Sequence, residues 1–299
     1  MNLNTIGLIG YGEVGKTFCA GLKTKPGVTA MAAWDLKFAN SATRDTEHAH
    51  AAAAGMQACD SMRALCEVST FILSAVTASN TLSVAQEAAR YIRPGSMFLD
   101  LNSASPGTKQ SCAVAIEAAG AHYVEAGVMT SVPPYGIKVP MLLGGAKATE
   151  LATALSAWQI DAKQVSDKLG IASAIKMCRS VMIKGLEALV IESYTTARAY
   201  GVEDYVLPTL QETYPGIDWQ EQGAYLFSRV VQHGKRRAEE MREAANTVRE
   251  SGVPPLMAAA IADKQQWVAG HAGDGVFKGL AKDARWQDYA DRLIALKDH

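Results

Sequence analysis

The sequence predicts two domains: an α/β amino-terminal half built on a doubly wound, mostly parallel sheet, and an all-α carboxy-terminal half, joined by a long interdomain helix. Three observations predict this. The first 160 residues alternate short apolar runs with longer Ala-rich stretches, the pattern of repeated βα units. From about residue 166 the strand pattern stops, and helical stretches follow, separated by Gly201, Pro208, Pro215-Gly216, Gly252 and Pro254-Pro255. The 299 residues are also about twice the usual length of one domain. The expected domains are therefore 1–165 and 166–299.

Taken in order, the apolar runs predict strands at Thr5–Ile9, Thr29–Trp34, Phe71–Val76, Met97–Leu101, His122–Ala126 and Met141–Gly144. Helices are predicted between them at Val14–Leu22, Thr46–Ala54, Ser79–Tyr91 and Thr108–Gly120, with Pro94-Gly95 turning the chain into the fourth strand. The stretch Asp167–Tyr200 contains no proline, which allows one helix of roughly 50 Å at 1.5 Å per residue. Its apolar residues Ile171, Ile175, Cys178, Val181, Met182, Leu186, Leu189 and Val190 recur at three- and four-residue spacing and predict a broad buried face.

Composition narrows the function class. The 29 Lys and Arg against 30 Asp and Glu leave a net charge of −1, so no overall positive field draws the chain onto nucleic acid or an anionic membrane. The 48% hydrophobic content is that of a globular protein. Five cysteines without a CxxC pair suit free thiols in a reducing cytosol. No cleavable leader pattern opens the chain, and no apolar run approaches the roughly 18 residues of a membrane span, so a soluble cytoplasmic protein is expected. No His, Asp and Glu set has metal-site spacing, and no Gly-x-Ser-x-Gly elbow occurs.

The strongest motif is Ile6-Gly7-Leu8-Ile9-Gly10-Tyr11-Gly12-Glu13-Val14-Gly15, a GxGxxG placed after a predicted strand and before a predicted helix. Gly10 permits the tight turn, Gly12 lets backbone approach a pyrophosphate, and Gly15 allows close helix–strand packing. The helix N-terminus, opened by Glu13 and Val14, then presents unpaired N–H groups to the phosphates. An S-adenosylmethionine site or a purely structural turn uses similar glycines. Asp35 follows Gly15 by twenty residues, where a carboxylate can accept the ribose hydroxyls of NAD, while Lys37 can instead contact the 2′-phosphate of NADP. The bland alternative makes both solvent-facing loop charges. Val76 and Thr77, ending a central strand, complete the expected cofactor set, NAD(P) with NAD favoured.

A third segment, Gly170-Ile171-Ala172-Ser173-Ala174-Ile175-Lys176-Met177-Cys178-Arg179-Ser180, opens the long helix. With the glycine motif it resembles the β-hydroxyacid dehydrogenases related to 6-phosphogluconate and 3-hydroxyisobutyrate dehydrogenases. Their pattern here is Gly-x-Gly-x-x-x-Lys-x-x-x-Asn, which Gly170 and Lys176 match and from which Ala172 and Ser180 depart. Asp100-Leu101-Asn102-Ser103-Ala104-Ser105-Pro106 is similar to the family's Asp-x-Ser-Thr-x-x-Pro turn, and Met141–Gly145 to its late strand. Glu125-Ala126-Gly127-Val128-Met129-Thr130-Ser131 stands where the family carries Asp-Ala-Pro-Val-Ser-Gly-Gly, so Met129 replaces the serine that contacts substrate carboxylate. The resemblance places the chain in a divergent branch with a helical carboxy-terminal domain. It implies a Rossmann domain, an NAD(P)-dependent oxidoreductase acting on a small hydroxy acid, and a homodimer.

Lys176 is the expected general base for oxidation of an alcohol and, as an ammonium, the acid for the reverse step. Desolvation near the root of an apolar helix favours its neutral form. Without the resemblance, a snorkelling lysine or an ion pair with Asp167 is the favoured reading. Asn102 and Ser103 border the ligand at the carboxyl edge of the sheet, or cap the helix after Pro106. Met129 and Thr130 join them as expected substrate contacts. Ser180, one turn beyond Lys176, stands where the family's Asn orients substrate; Lys184 binds a substrate anion or pairs with Glu187. The run His233–Met241 reads as a solvated helix face, and His271 as a residue of a Gly-rich loop. Two rival readings are reduction of a C=N bond on the same scaffold and a dinucleotide sensor without chemistry.

Overall fold

The computed structural model describes residues 1–298. The chain divides into two compact units, Met1–Met177 and Cys178–His299.

The first unit is a three-layer α/β structure. Strands β1 (Thr5–Ile9), β2 (Ala30–Trp34), β3 (Gln57–Ala58), β4 (Phe71–Ser74), β5 (Met97–Asp100), β6 (His122–Val128), β7 (Met141–Gly144) and β8 (Ala162–Ser166) form one sheet in the order β3-β2-β1-β4-β5-β6-β7-β8. All neighbours are parallel except β6 and β7, whose antiparallel register sets Glu125 opposite Gly144. The order reverses between β1 and β4, which opens the crevice where doubly wound sheets bind ligands, beyond the strands' carboxyl ends. The helices are α1 (Glu13–Leu22), α2 (Leu36–Ala39), α3 (Arg44–Ala53), α4 (Met62–Val68), α5 (Thr81–Ala89), α6 (Pro106–Ala118) and α7 (Ala148–Ser156).

Strand side chains alternate between two cores. Phe71, Leu73, Leu99 and Val124 face one, Ile72, Phe98 and Tyr123 the other. The predicted strands and helices all form, with ends shifted by a few residues. Sequence reading missed β3, β8, α2, α4 and α7. β3 is only two residues long, and β8 (Ala-Lys-Gln-Val-Ser) is a polar edge strand without an apolar run to announce it.

Helix α8 (Ile171–Tyr200) begins in the first unit and continues into the second. It starts at Ile171 rather than Asp167, because Gly170 takes φ +99°, a left-handed conformation outside the helix. Its 30 residues span about 45 Å. The expected broad apolar face is corrected: Ile171, Ile175, Cys178, Met182 and Leu189 are exposed. Val190 is buried as expected and Val181 and Leu186 are half-buried, but the rest of the buried stripe is Ala172, Ser173, Met177, Ser180, Lys184, Glu187, Ala188, Ile191 and Tyr194. Hydrogen bonding admits the polar members to that buried stripe, so apolar spacing alone misplaced the face.

The second unit adds α9 (Glu203–Thr213), α10 (Trp219–Glu250), α11 (Leu256–Gly273) and α12 (Trp286–Ile294) around a core of Ile191, Tyr194, Phe227, Val230, Trp286 and Tyr289. Asp218 caps α10 by accepting from Glu221 N at 3.0 Å. Gly234 lets α10 and α11 approach, since a Cβ there would lie 2.9 Å from Gln265 O. His271 lies within α11, its ring edge-on to Trp267, and not in a loop. The run His233–Met241 is only partly solvated: Arg237 is buried and forms a bidentate pair with the Glu187 carboxylate, which Gln265 also reaches at 3.0 Å.

Candidate functional site

The glycine turn joins β1 to α1. Gly10 takes φ +93°, and a Cβ there would sit 2.3 Å from Ala75 O; a Cβ on Gly15 would sit 2.1 Å from Gly10 O. The protein's own packing therefore demands both. Gly12 is different: its φ of −84° and ψ of −158° suit any residue, and a Cβ would meet open space. Glu13, Val14 and Gly15 follow as the first residues of α1, whose leading N–H groups have no partner within the helix. An open approach over backbone at a helix N-terminus fits the pyrophosphate of NAD(P).

Asp35, half-buried at the end of β2, is tied into this turn. Its Oδ2 accepts from Tyr11 N at 2.6 Å and its Oδ1 from Lys37 N at 2.9 Å. Asp35 thereby caps α2. The Lys37 ammonium lies 3.9 Å from Glu47. On the other side of the switch point, a Cβ on Gly10 would lie 3.1 Å from Val76 Cγ1, so Val76 packs against the turn. Thr77 is exposed, and its hydroxyl accepts from Asn80 Nδ2 at 2.8 Å.

The turn after β5 is built on a buried carboxylate. Asp100 accepts from Lys109 Nζ at 2.9 Å, from the Tyr123 hydroxyl at 2.6 Å and from Asn102 N at 2.9 Å; Lys109 also donates to Asp100 O at 3.0 Å. Asp100, Lys109 and Tyr123 are almost wholly excluded from solvent. Burial, with the Asp100 charge next, pushes the Tyr123 phenol well above its ordinary value. Asn102 is committed to the same scaffold: Val76 N donates to its Oδ1 at 2.6 Å, and its Nδ2 donates to Ser74 Oγ at 3.0 Å. Neither Asn102 nor Ser103 caps the next helix, because Ser105 does so by accepting from Thr108 N at 3.2 Å. Ser103 is left half-buried at the sheet edge, and Lys176 Nζ donates to its hydroxyl at 2.6 Å.

Lys176 is placed from β6. Glu125, fully buried, receives Gly170 N at 2.7 Å and Ala172 N at 3.1 Å on Oε1, and Ser173 N at 3.3 Å on Oε2. The carboxylate thus collects the leading N–H groups of α8 and favours its positive end. Two residues along the strand, Gly127 lets α8 approach, since a Cβ there would lie 2.8 Å from Ala172 O and 3.5 Å from Lys176 Cβ. Met129 and Thr130 leave β6 at its carboxyl end, Met129 N donating to Pro140 O at 3.0 Å.

In the second unit, Ser180 and Lys184 are buried on α8, and Lys184 Nζ donates to Ser180 Oγ at 3.2 Å. The ion-pair partner of Lys184 is Glu240 on α10 at 2.9 Å, which corrects the expected pairing with Glu187. The i, i+3 spacing suggested Glu187, but that side chain turns to Arg237.

The glycines, Asp35, Val76, Asn102, Ser103 and Lys176 thus fall along the carboxyl edge of one sheet. Sequence reading missed Glu125 as the cap of α8 and the Lys109–Asp100–Tyr123 cluster. A glutamate inside the apolar run Tyr123–Val128 was the available signal, because a buried carboxylate needs donors. Lys109 gave no signal. Among the described residues no group of His, Cys, Asp and Glu is arranged to hold a metal, and no helix is long and apolar enough to cross a membrane.

The chain is similar to known proteins over most of its length. Residues 5–152 match the NAD binding domain of 6-phosphogluconate dehydrogenase, and residues 197–268 match a domain of unknown function, DUF1932. A conserved hypothetical protein from Sinorhizobium meliloti 1021 is 36% identical, with 98% of this chain and 96% of that chain covered at a TM-score of 0.76. The chain belongs to a divergent branch of the 6-phosphogluconate and 3-hydroxyisobutyrate dehydrogenase-like family. An uncharacterized 28.5 kDa protein of Methanothermus fervidus is 28% identical over 255 residues, which are 84% of this chain and 94% of that protein. The 3-hydroxyisobutyrate dehydrogenase of Mycobacterium tuberculosis, with L-serine, shares the fold at 16% identity and a TM-score of 0.69, with 97% of this chain and 99% of that one covered. The first unit is accordingly an NAD(P)-binding domain.

Proposed function

We propose that the protein is an NAD(P)-dependent oxidoreductase that interconverts a small hydroxy acid and its carbonyl form, with Lys176 as the general acid and base. The observation that carries this reading is the Lys176–Ser103 hydrogen bond of 2.6 Å at the ligand edge of a sheet whose first turn leaves Gly12 open. Bound nicotinamide supplies the hydride acceptor or donor. In oxidation Lys176 Nζ takes the substrate hydroxyl proton; in reduction it returns a proton to the carbonyl oxygen. Ser103 holds the lysine in place, and Asn102 fixes Ser103 by bonding to Val76 N and Ser74. Met129 and Thr130 border the substrate.

NAD is the favoured cofactor, because Asp35 presents a carboxylate where an adenosine ribose lies in this kind of domain. The working form is a homodimer. Ile175, Met182 and Leu189 repeat every seven residues along α8 and are 40%, 74% and 57% exposed, an apolar seam suited to a second copy. Reduction of a C=N bond is the second reading. It is favoured by the loop after β6, where Met129 N is already bonded and Pro133 and Pro134 have no N–H to offer a carboxylate.

Titration with NADH and NADPH, read by energy transfer from the five tryptophans to the reduced nicotinamide, tests the cofactor assignment. NADH binding tighter than NADPH is expected, and binding of neither would remove the proposal's foundation. A screen of hydroxy acids and cyclic imines then separates the two chemistries. Light scattering of the wild type and of Met182→Glu tests the dimer, with a monomeric wild type counting against it.

A further inference from the structure

Around Asp35 the structure gathers charges that the proposed chemistry does not use. Lys16, in the first turn of α1, reaches across to α3 and pairs with Glu47 at 2.7 Å, its ammonium also 5.4 Å from the centre of the Tyr11 ring. Lys37, two residues beyond Asp35, lies 3.9 Å from the other oxygen of the same glutamate. The Glu47 side chain is only 14% exposed, whereas Lys16 and Lys37 are 31% and 47% exposed. The Lys16 hydrogen bond and the Lys16 and Lys37 charges hold its carboxyl below the ordinary value. One carboxylate therefore occupies both lysines beside the residue expected to receive the adenosine ribose.

We propose that Glu47 is a specificity-determining residue that makes the site reject a 2′-phosphate by keeping Lys16 and Lys37 occupied. The proposal rests on the reading that the dinucleotide lies along Gly10–Gly15 with its ribose at Asp35. NAD and NADP differ only by the phosphate on that ribose. A dianionic phosphate needs cationic donors turned toward it and no carboxylate nearby. Here two lysines stand at the right strand end, yet both point to a glutamate, and Asp35 adds a second negative charge. Binding NADP would require the phosphate to compete with Glu47 for Lys16 and Lys37 while being repelled by both carboxylates. Asp35 alone favours a free 2′-hydroxyl; Glu47 removes the cations that would otherwise offset that preference.

The test needs only the two cofactors. Dissociation constants of NADH and NADPH are measured by fluorescence for the wild type, Glu47→Gln, and Glu47→Gln combined with Lys16→Met and Lys37→Met, with circular dichroism confirming the fold of each. Glu47→Gln is expected to tighten NADPH binding about tenfold, or about 1.4 kcal/mol, while NADH changes less than about twofold. The gain should fade with added salt, since the lysines are partly exposed, and should vanish in the triple variant. A ratio of the two constants within about twofold of wild type in Glu47→Gln would overturn the proposal, as would a gain that survives loss of both lysines. Should the wild type prefer NADPH, the site does not reject the 2′-phosphate, and the Asp35 reading and the Glu47 proposal both fall; a wild type that prefers NADH with an unchanged ratio in Glu47→Gln overturns the Glu47 proposal alone. Binding of neither cofactor by any variant overturns both.

Discussion

Lys176 and Lys184 lie eight residues apart on one helix and meet opposite surroundings. Lys176 is half-buried at the carboxyl edge of the sheet and donates to a serine hydroxyl. Lys184 is buried in the helical unit and forms an ion pair with Glu240. Both read alike in sequence, as lysines in an apolar helix. A buried lysine paired with a carboxylate is a structural commitment, because removing either partner strands the other's charge. On the proposed reading, the lysine set against a hydroxyl at the sheet edge exchanges a proton with substrate. The difference teaches that the partner group, not the spacing along the helix, separates chemistry from architecture.

The comparison breaks if the two lysines respond alike to substitution. Lys176→Ala should lower turnover by about a thousandfold, in the range set by general acid–base catalysis. Cofactor affinity and the denaturation midpoint should stay near wild type. Lys184→Met should instead cost about 3 kcal/mol in denaturant titration, as expected when a buried pair loses one partner. A stable Lys184→Met, or a Lys176→Ala that turns over normally, would end the distinction.

Glu125 sharpens it, since this carboxylate supports the catalytic candidate without touching it. Glu125→Gln keeps the volume but weakens three hydrogen bonds to the start of α8, and about 1–2 kcal/mol of stability should be lost. If Lys176 is positioned through that cap, kcat should fall further than KM changes. Ser61→Ala, which removes the cap of α4, should cost similar stability with kcat unaltered.

The glycine turn allows the same separation of roles on a smaller scale. Gly15→Ala should destabilise the domain, because its Cβ would fall on Gly10 O. Gly12→Ala should leave the melting temperature unchanged while weakening NADH binding at least about tenfold, since the new methyl group fills the cofactor's approach and nothing of the protein. Equal melting temperatures for the two variants would contradict this division.

Much of the first unit was legible because each βα unit writes its period into the chain. Runs such as Phe71–Leu73 and Met97–Leu99 are continuous and apolar, as strands buried on both faces must be. Gly10 and Gly15 were legible because close packing leaves no room for a side chain there, and Asp35 because of its spacing from that turn. The polar devices were not. Lys109 sits in α6 without a sequence mark, yet it is wholly buried against Asp100, whose carboxylate also receives the hydroxyl of Tyr123 from another strand. The buried face of α8 was misplaced for the same reason: Ser180, Lys184 and Glu187 are internal only because Glu240 and Arg237, some fifty residues on, arrive to meet them. Local periodicity reports hydrophobicity, and long-range pairing can outvote it.

The Lys16–Glu47 pair supplies the weakest and most exposed case of the same contrast. Its glutamate titrates below the ordinary 4.5, chiefly through the Lys16 hydrogen bond and against the effect of burial. A carboxylate with a depressed folded-state pKa adds stability above its unfolded pKa and loses it as pH falls through the folded value. Wild type should therefore be slightly more stable than Glu47→Gln at pH 7, by less than about 1 kcal/mol because the lysine partners are partly exposed. The gap should close on acidification below pH 4.5, where protonation of Glu47 makes the two chains electrostatically alike at this position. For Lys184→Met the loss should exceed that of Glu47→Gln at pH 7 and respond less to 1 M salt, since a buried pair is screened less than an exposed one. A Glu47→Gln gap that stayed constant from pH 7 to pH 3 would mean that the pairing adds nothing and that the substitution acts through packing alone.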